Sequence, residues 1–128
     1  MSITQFTDNI RQGSYYFKNL EYYETGKYSN DLEDSIWVSF YTKTQSKRFE
    51  GRYINGEPEG MHRYFYDNGK PSIIATYKNG LKDGTWLFYN KDGDLYLTIQ
   101  YKNDDEISWQ GKKINTDGML RKRNLNNN

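Results

Sequence analysis

The chain has 128 residues, a formal net charge of +1 and no cysteine. That length holds one domain with a modest core; 18 Lys and Arg against 17 Asp and Glu exclude a global field that would draw in nucleic acid or acidic lipid, and the missing thiols exclude disulfides, thiolate metal sites and thiol nucleophiles. Mean hydropathy is −1.09, as polar as many disordered chains, yet Tyr, Phe and Trp supply 17% of the residues, which disordered chains lack; a folded chain with an aromatic core is expected.

Residues 1–20 form a separate N-terminal segment in which "SYYF", Ser14 to Phe17, is expected to add an edge strand or to lie along a partner. The segment has no apolar core of a signal peptide, and no later stretch is apolar enough to span a bilayer. A cytoplasmic chain is therefore expected, the alternative being an exported or cell-surface protein whose signal was removed ahead of this numbering.

From residue 21 to residue 110 the sequence repeats. Tyrosines at Tyr28, Tyr53, Tyr77 and Tyr101 are spaced by 25, 24 and 24 residues, and two positions after each comes an asparagine: Asn30, Asn55, Asn79 and Asn103. Gly56 and Gly80 follow in the middle copies, Asp31 and Asp104 in the outer ones. Asn-Gly tolerates the paired positive φ angles of a two-residue hairpin turn, so each of these sites predicts a hairpin. Seven positions after the tyrosines stand Ser35, Gly60, Gly84 and Ser108; nine positions after the first three stand Trp37, His62 and Trp86. Further turns are predicted at "YDNGK" and "NKDGD".

Between turns the apolar pattern has period two, as strands require. Phe49, Gly51 and Tyr53 share a face, as do Ile73, Ala75 and Tyr77, and Leu97, Ile99 and Tyr101. The returning strands carry Trp37, Ser39 and Tyr41, then His62, Tyr64 and Tyr66, then Trp86 and Phe88, with Val38, Phe65 and Leu87 on the opposite face. A repeat of this period means an array. The expected fold is all-β: an elongated, single-layer antiparallel meander of tandem β-hairpins, about four copies of about 24 residues, capped by polar end copies. Residues 111–128 are a C-terminal cap and a basic, Asn-rich tail.

"YKNGLKDGTW" from Tyr77 to Trp86 and "YINGEPEGMHRYFYDNGK" from Tyr53 to Lys70 resemble the MORN repeat. They are most similar to its bacterial variant, which runs tyrosine, Asn-Gly, a glycine four residues on, tryptophan, paired aromatics and another Asn-Gly. The arrangement resembles that of the YwqK-family antitoxins and extends over about residues 21–110. It implies the hairpin fold, a role as scaffold, dimerisation surface or lipid-binding module, and a partner of the antitoxin kind. The chain departs from the pattern at His62 in place of tryptophan, at Ser35 and Ser108 in place of glycine, and at "YTKTQSKRF" in place of an Asn-Gly turn.

Signals for catalysis are weak. His62 is the only histidine and, aligned with Trp37 and Trp86, reads as a ring-stacking position. No serine nucleophile has a histidine base beside it, the acidic residues fall mostly in turns, and neither a metal nor another cofactor is expected. The favoured function is a non-catalytic scaffold that binds a protein partner through an aromatic sheet face or an edge, as an antitoxin-like protein or an assembly subunit. Trp37, Tyr41, His62, Tyr64, Tyr66, Trp86 and Phe88 are the candidate contacts. Homo-oligomerisation is compatible with the same surface. The alternatives are carbohydrate recognition by exposed rings and membrane-surface attachment through aromatics and the basic tail of Lys112, Lys113, Arg121, Lys122 and Arg123.

Overall fold

The computed structural model describes residues 2–7, 10–113 and 120. The strands are β1 (Ser2–Thr7), β2 (Ile10–Lys18), β3 (Tyr22–Ser29), β4 (Leu32–Tyr41), β5 (Lys47–Ile54), β6 (Glu57–Phe65), β7 (Pro71–Lys78), β8 (Leu81–Lys82), β9 (Gly84–Tyr89), β10 (Leu95–Lys102) and β11 (Asp105–Gly111). They form one antiparallel sheet in sequence order, β8 pairing with β7 as the first part of the strand that β9 continues. The all-β meander of tandem hairpins is the observed architecture.

The hairpin turns are where the asparagines place them. Asn30 and Asp31 have φ of 51° and 69°, Asn55 and Gly56 51° and 80°, Asn79 and Gly80 53° and 80°, and Asn103 and Asp104 49° and 72°. Two successive positive φ angles make the turn whose twist matches the flanking strands. Aspartate tolerates the second position, and here its carboxylate also reaches back to the preceding copy: Asp31 accepts from the Arg11 N–H at 3.3 Å and Asp104 from the Lys82 N–H at 2.7 Å. At the matching place before Gly80 stands Pro58, which has no N–H to offer.

The four expected hairpins are preceded by a fifth. Residues 2–18, read from sequence as a segment with an edge strand, pair as β1 and β2 and carry the repeat's register, with Thr4 opposite Tyr15 and Phe6 opposite Arg11. Tyr15 therefore takes the place that Trp37, His62 and Trp86 hold in later copies. In each of these four copies the returning strand holds two more residues than its partner between the ring and the turn, and Gly13, Ser35, Gly60 and Gly84 absorb the excess at φ of 81°, 62°, 75° and 83°. Such bulges bend a strand and strengthen its twist. One such bulge lies in the returning strand of each of these four hairpins.

The core consists of Tyr28, Trp37, Phe49, Tyr53, Tyr64, Ile73, Ala75, Trp86, Phe88, Leu97 and Ile99, with Tyr15, Tyr77, Tyr96, Tyr101 and Leu120 packed against it. Each ring at the Trp37 position lies over the residue facing it in its own hairpin. A Cβ built on Gly26 would come within 2.1 Å of the Trp37 ring, and one on Gly51 within 2.5 Å of His62 Nδ1. These glycines have ordinary φ, so space, rather than backbone freedom, demands them. Replacing Gly51 with Ala is expected to destabilise the fold by about 1–3 kcal/mol, the usual cost of overpacking; urea unfolding of the Gly51→Ala variant checks this.

Candidate binding edge

The structure places the predicted contact residues inside the molecule. Trp37, His62, Tyr64, Trp86 and Phe88 are 0%, 1%, 7%, 1% and 2% exposed; Tyr41 and Tyr66 are half-buried. The exposed aromatic face is thereby corrected. Shared parity put these rings on one face, but that face is the buried one, and rings seated on Gly26 and Gly51 close over it.

Within the core the rings form a zigzag column. Centroids run Tyr15 to Trp37 at 5.0 Å, Trp37 to Tyr53 at 6.4 Å, Tyr53 to His62 at 5.1 Å, His62 to Tyr77 at 4.9 Å, Tyr77 to Trp86 at 5.2 Å and Trp86 to Tyr101 at 5.1 Å. Most are edge-to-face, the geometry the ring quadrupole favours, at about 0.5–1.5 kcal/mol per pair beyond area burial. Two polar atoms of the column bind backbone: Trp86 Nε1–H donates to Thr76 O at 2.8 Å, and His62 Nε2 lies 2.8 Å from Arg52 O. His62 is thus a structural substitute for tryptophan, as its alignment implied. Carbohydrate stacking on Trp37, Tyr64 or Trp86 has no accessible ring to use.

Tyr41 and Tyr66 join neighbouring copies. Tyr41 Oη–H donates to Phe65 O, and Tyr66 Oη–H to Tyr89 O. With Tyr64, Arg48, Phe65 and Ser72 they line a recess of about 180 Å³. Burial lifts the Tyr41 phenol above the ordinary tyrosine range, the Arg48 charge opposing it. Arg48 is stacked over the Tyr22 ring at 4.1 Å.

Exposed apolar side chains occur along the sheet, at Ile3, Leu20, Ile36, Met61 and Leu95 among others, and two of them, Ile107 and Trp109, lie on the edge strand β11. All its residues are exposed, with Ile107 at 63% and Trp109 at 49%. Trp109 faces Ile99 across its hairpin, as Trp37 lies over Gly26 and His62 over Gly51 across theirs. It is the ring of the fifth copy. The nine-residue spacing missed it because this copy's bulge holds one extra residue instead of two, which moves the ring to eight positions after Tyr101. Ser108, paired with Gln100, is consequently not the counterpart of Gly84. The legible signal was the tryptophan in "ISWQG" itself.

Around Trp109 the sheet is recessed. Thr98, Gln100, Ser108, Trp109 and Gln110 line a hollow of about 240 Å³, and Leu95, Tyr96, Leu97, Thr98, Gln110 and Gly111 one of about 170 Å³. Lys113 pairs with Glu106 and lies 5.3 Å from the Trp109 ring centroid. Burial, followed by the Glu106 charge, raises the Tyr101 phenol. Of the predicted basic tail, Arg121, Lys122 and Arg123 lie outside the described residues, and Lys112 and Lys113 sit just beyond β11. Among the described residues no set of three His, Asp or Glu side chains converges as metal ligands.

Two predictions test this assignment of roles. Substituting His62 with Ala opens a cavity beneath Tyr53 and Tyr77 and removes the partner of Arg52 O, so a loss of about 2–4 kcal/mol is expected in urea unfolding; His62→Trp, with the glycine beneath it retained, restores the pattern of Trp37 on Gly26 and is expected to fold. Hydrogen bonding from Arg11 holds the Asp31 carboxyl below the usual carboxylate range. The folded form thus favours the ionised group, and the resulting stability is present above about pH 4 and is lost as pH falls further. Asp31→Asn is expected to lose that increment at neutral pH and to approach wild type as falling pH protonates the folded carboxylate, as read from paired acid titrations of unfolding.

No curated protein matches the chain. Residues 58–79 and 82–103 each match the family model described as the MORN repeat variant. Each matched unit begins on a returning strand, crosses to the next copy and ends at that copy's asparagine turn, so two adjacent units in the middle of this sheet are similar to MORN repeats of the variant type.

Proposed function

We propose that the chain is a non-catalytic repeat scaffold that holds a protein partner by strand addition at β11, which among the described residues pairs with β10 alone. One observation carries this reading: Trp109 occupies the register of Trp37 and Trp86 but is 49% exposed, where they are 0% and 1%. Main-chain groups along the edge supply affinity, and the hollows between β10 and β11 supply side-chain selection. Trp109 and Ile107 are the anchors, tryptophan being a frequent centre of binding energy.

An antitoxin-like role, in which the captured partner is an enzyme to be silenced, and an assembly role, in which it is a structural neighbour, are two cases of the same reading. They are separated by assaying the captured partner's own activity with and without the scaffold. The one histidine is 1% exposed and lies 2.8 Å from a backbone carbonyl, which supports reading it as structural.

The test is a pull-down from native lysate with wild type and with Ile107→Lys and Trp109→Lys, each checked for an intact sheet by circular dichroism. A stoichiometric partner held by wild type and lost by both variants is expected. Capture of that partner by the variants, or no capture at all, removes the reading.

A further inference from the structure

We infer that a second copy of the chain can supply the added strand: its β1 docks on β11 and continues the sheet head to tail. This rests on the strand-addition reading and names an occupant for it. The sheet already makes the same contact four times, where the second strand of one hairpin meets the first strand of the next: Tyr15 opposite Gly26, Trp37 opposite Gly51, His62 opposite Ala75 and Trp86 opposite Ile99. In every case the facing residue lies two positions before the copy's turn aromatic. Two strands of the array have only half of this contact: β11, whose ring is Trp109, and β1, whose facing residue is Thr4.

The internal rule fixes the register between copies. Thr4 of one copy stands opposite Trp109 of the other, Phe6 opposite Ile107 and Ser2 opposite Gly111. Thr4 is within the size range of the facing residues, between Ala75 and Ile99. Neither strand carries a lysine or a proline, and the charges of β11 are confined to its start, at Asp105 and at Glu106, which is ion-paired with Lys113. β1 reads SITQFT, without charge or proline, and β11 is uncharged from Ile107 to Gly111. Ile3 is 53% exposed, so an apolar side chain is accessible on that edge too.

Because the two edges differ, the contact is heterologous and leaves a free β1 and a free β11 after each addition. Growth is therefore open-ended instead of stopping at a symmetric dimer. Light scattering coupled to size exclusion, with the full chain over a micromolar to millimolar series, is expected to give a mass that climbs past twice the 15.3 kDa monomer as concentration rises. Thr4→Lys and Trp109→Lys each destroy one edge and are expected to be monomeric alone. Mixed in equal amounts they form a dimer and nothing larger, because the intact β11 of one meets the intact β1 of the other. If Thr4→Lys disturbs the first hairpin in its amide spectrum, Ile3→Lys replaces it.

Wild type that stays monomeric throughout overturns the inference, as does Thr4→Lys that associates as wild type does, which would mean that β11 pairs with itself. A monomeric wild type that still captures a foreign partner through Trp109 overturns only the inference and leaves the strand-addition reading standing. A wild type that does neither removes both.

Discussion

The sheet depends on one steric arrangement, a flat ring lying where the facing strand has little or no side chain. A single antiparallel layer has no second sheet or helix to cover its apolar side. Trp37 and His62 solve this by lying over Gly26 and Gly51, close enough that even a methyl group there would overlap the ring. The ring then serves as roof and filling together, and an aromatic-rich, aliphatic-poor chain can bury side chains completely in a one-layer fold.

That arrangement fixes the direction in which stability is shared. The ring of one hairpin is flanked by the turn tyrosine of its own copy and by that of the next, and the hydroxyls of Tyr41 and Tyr66 reach carbonyls one copy further along. The turns do the same, with the N–H groups of Asp31, Gly56 and Asp104 donating to Arg11 O, Glu33 O and Lys82 O of the preceding copies. Stability in such an array is mostly nearest-neighbour coupling. The exposure of Trp109 follows directly, since the Trp37 ring has a following tyrosine, Tyr53, and among the described residues Trp109 has none.

Much of the fold was legible because its determinants are local. Asn55-Gly56 and Asn79-Gly80 specify a turn by backbone sterics alone, and period two between turns specifies strands. The first hairpin escaped because Phe6 replaces the turn tyrosine and its period is 22 residues, so fixed-spacing comparison passes over it. The binding edge escaped for a similar reason: dropping one bulge residue shifts the register, and a shift of one exchanges the two faces of a strand. Parity correctly placed Trp86 and Phe88 on one side, but it carries no information about whether that side is covered. The informative residues were Gly26 and Gly51, whose missing Cβ atoms show where rings come to rest.

The order of the strands also decides how the molecule bears load. Ten strands side by side, at about 4.8 Å each, make an array about 45 Å across, with the strands running crosswise to that length. Tension applied between its two ends pulls adjacent strands apart broadside, so backbone bonds at the most stressed junction open one after another instead of shearing together. A scaffold of this kind yields by peeling, hairpin by hairpin, and each hairpin released pays out a fixed length of chain while the remaining copies keep their registers.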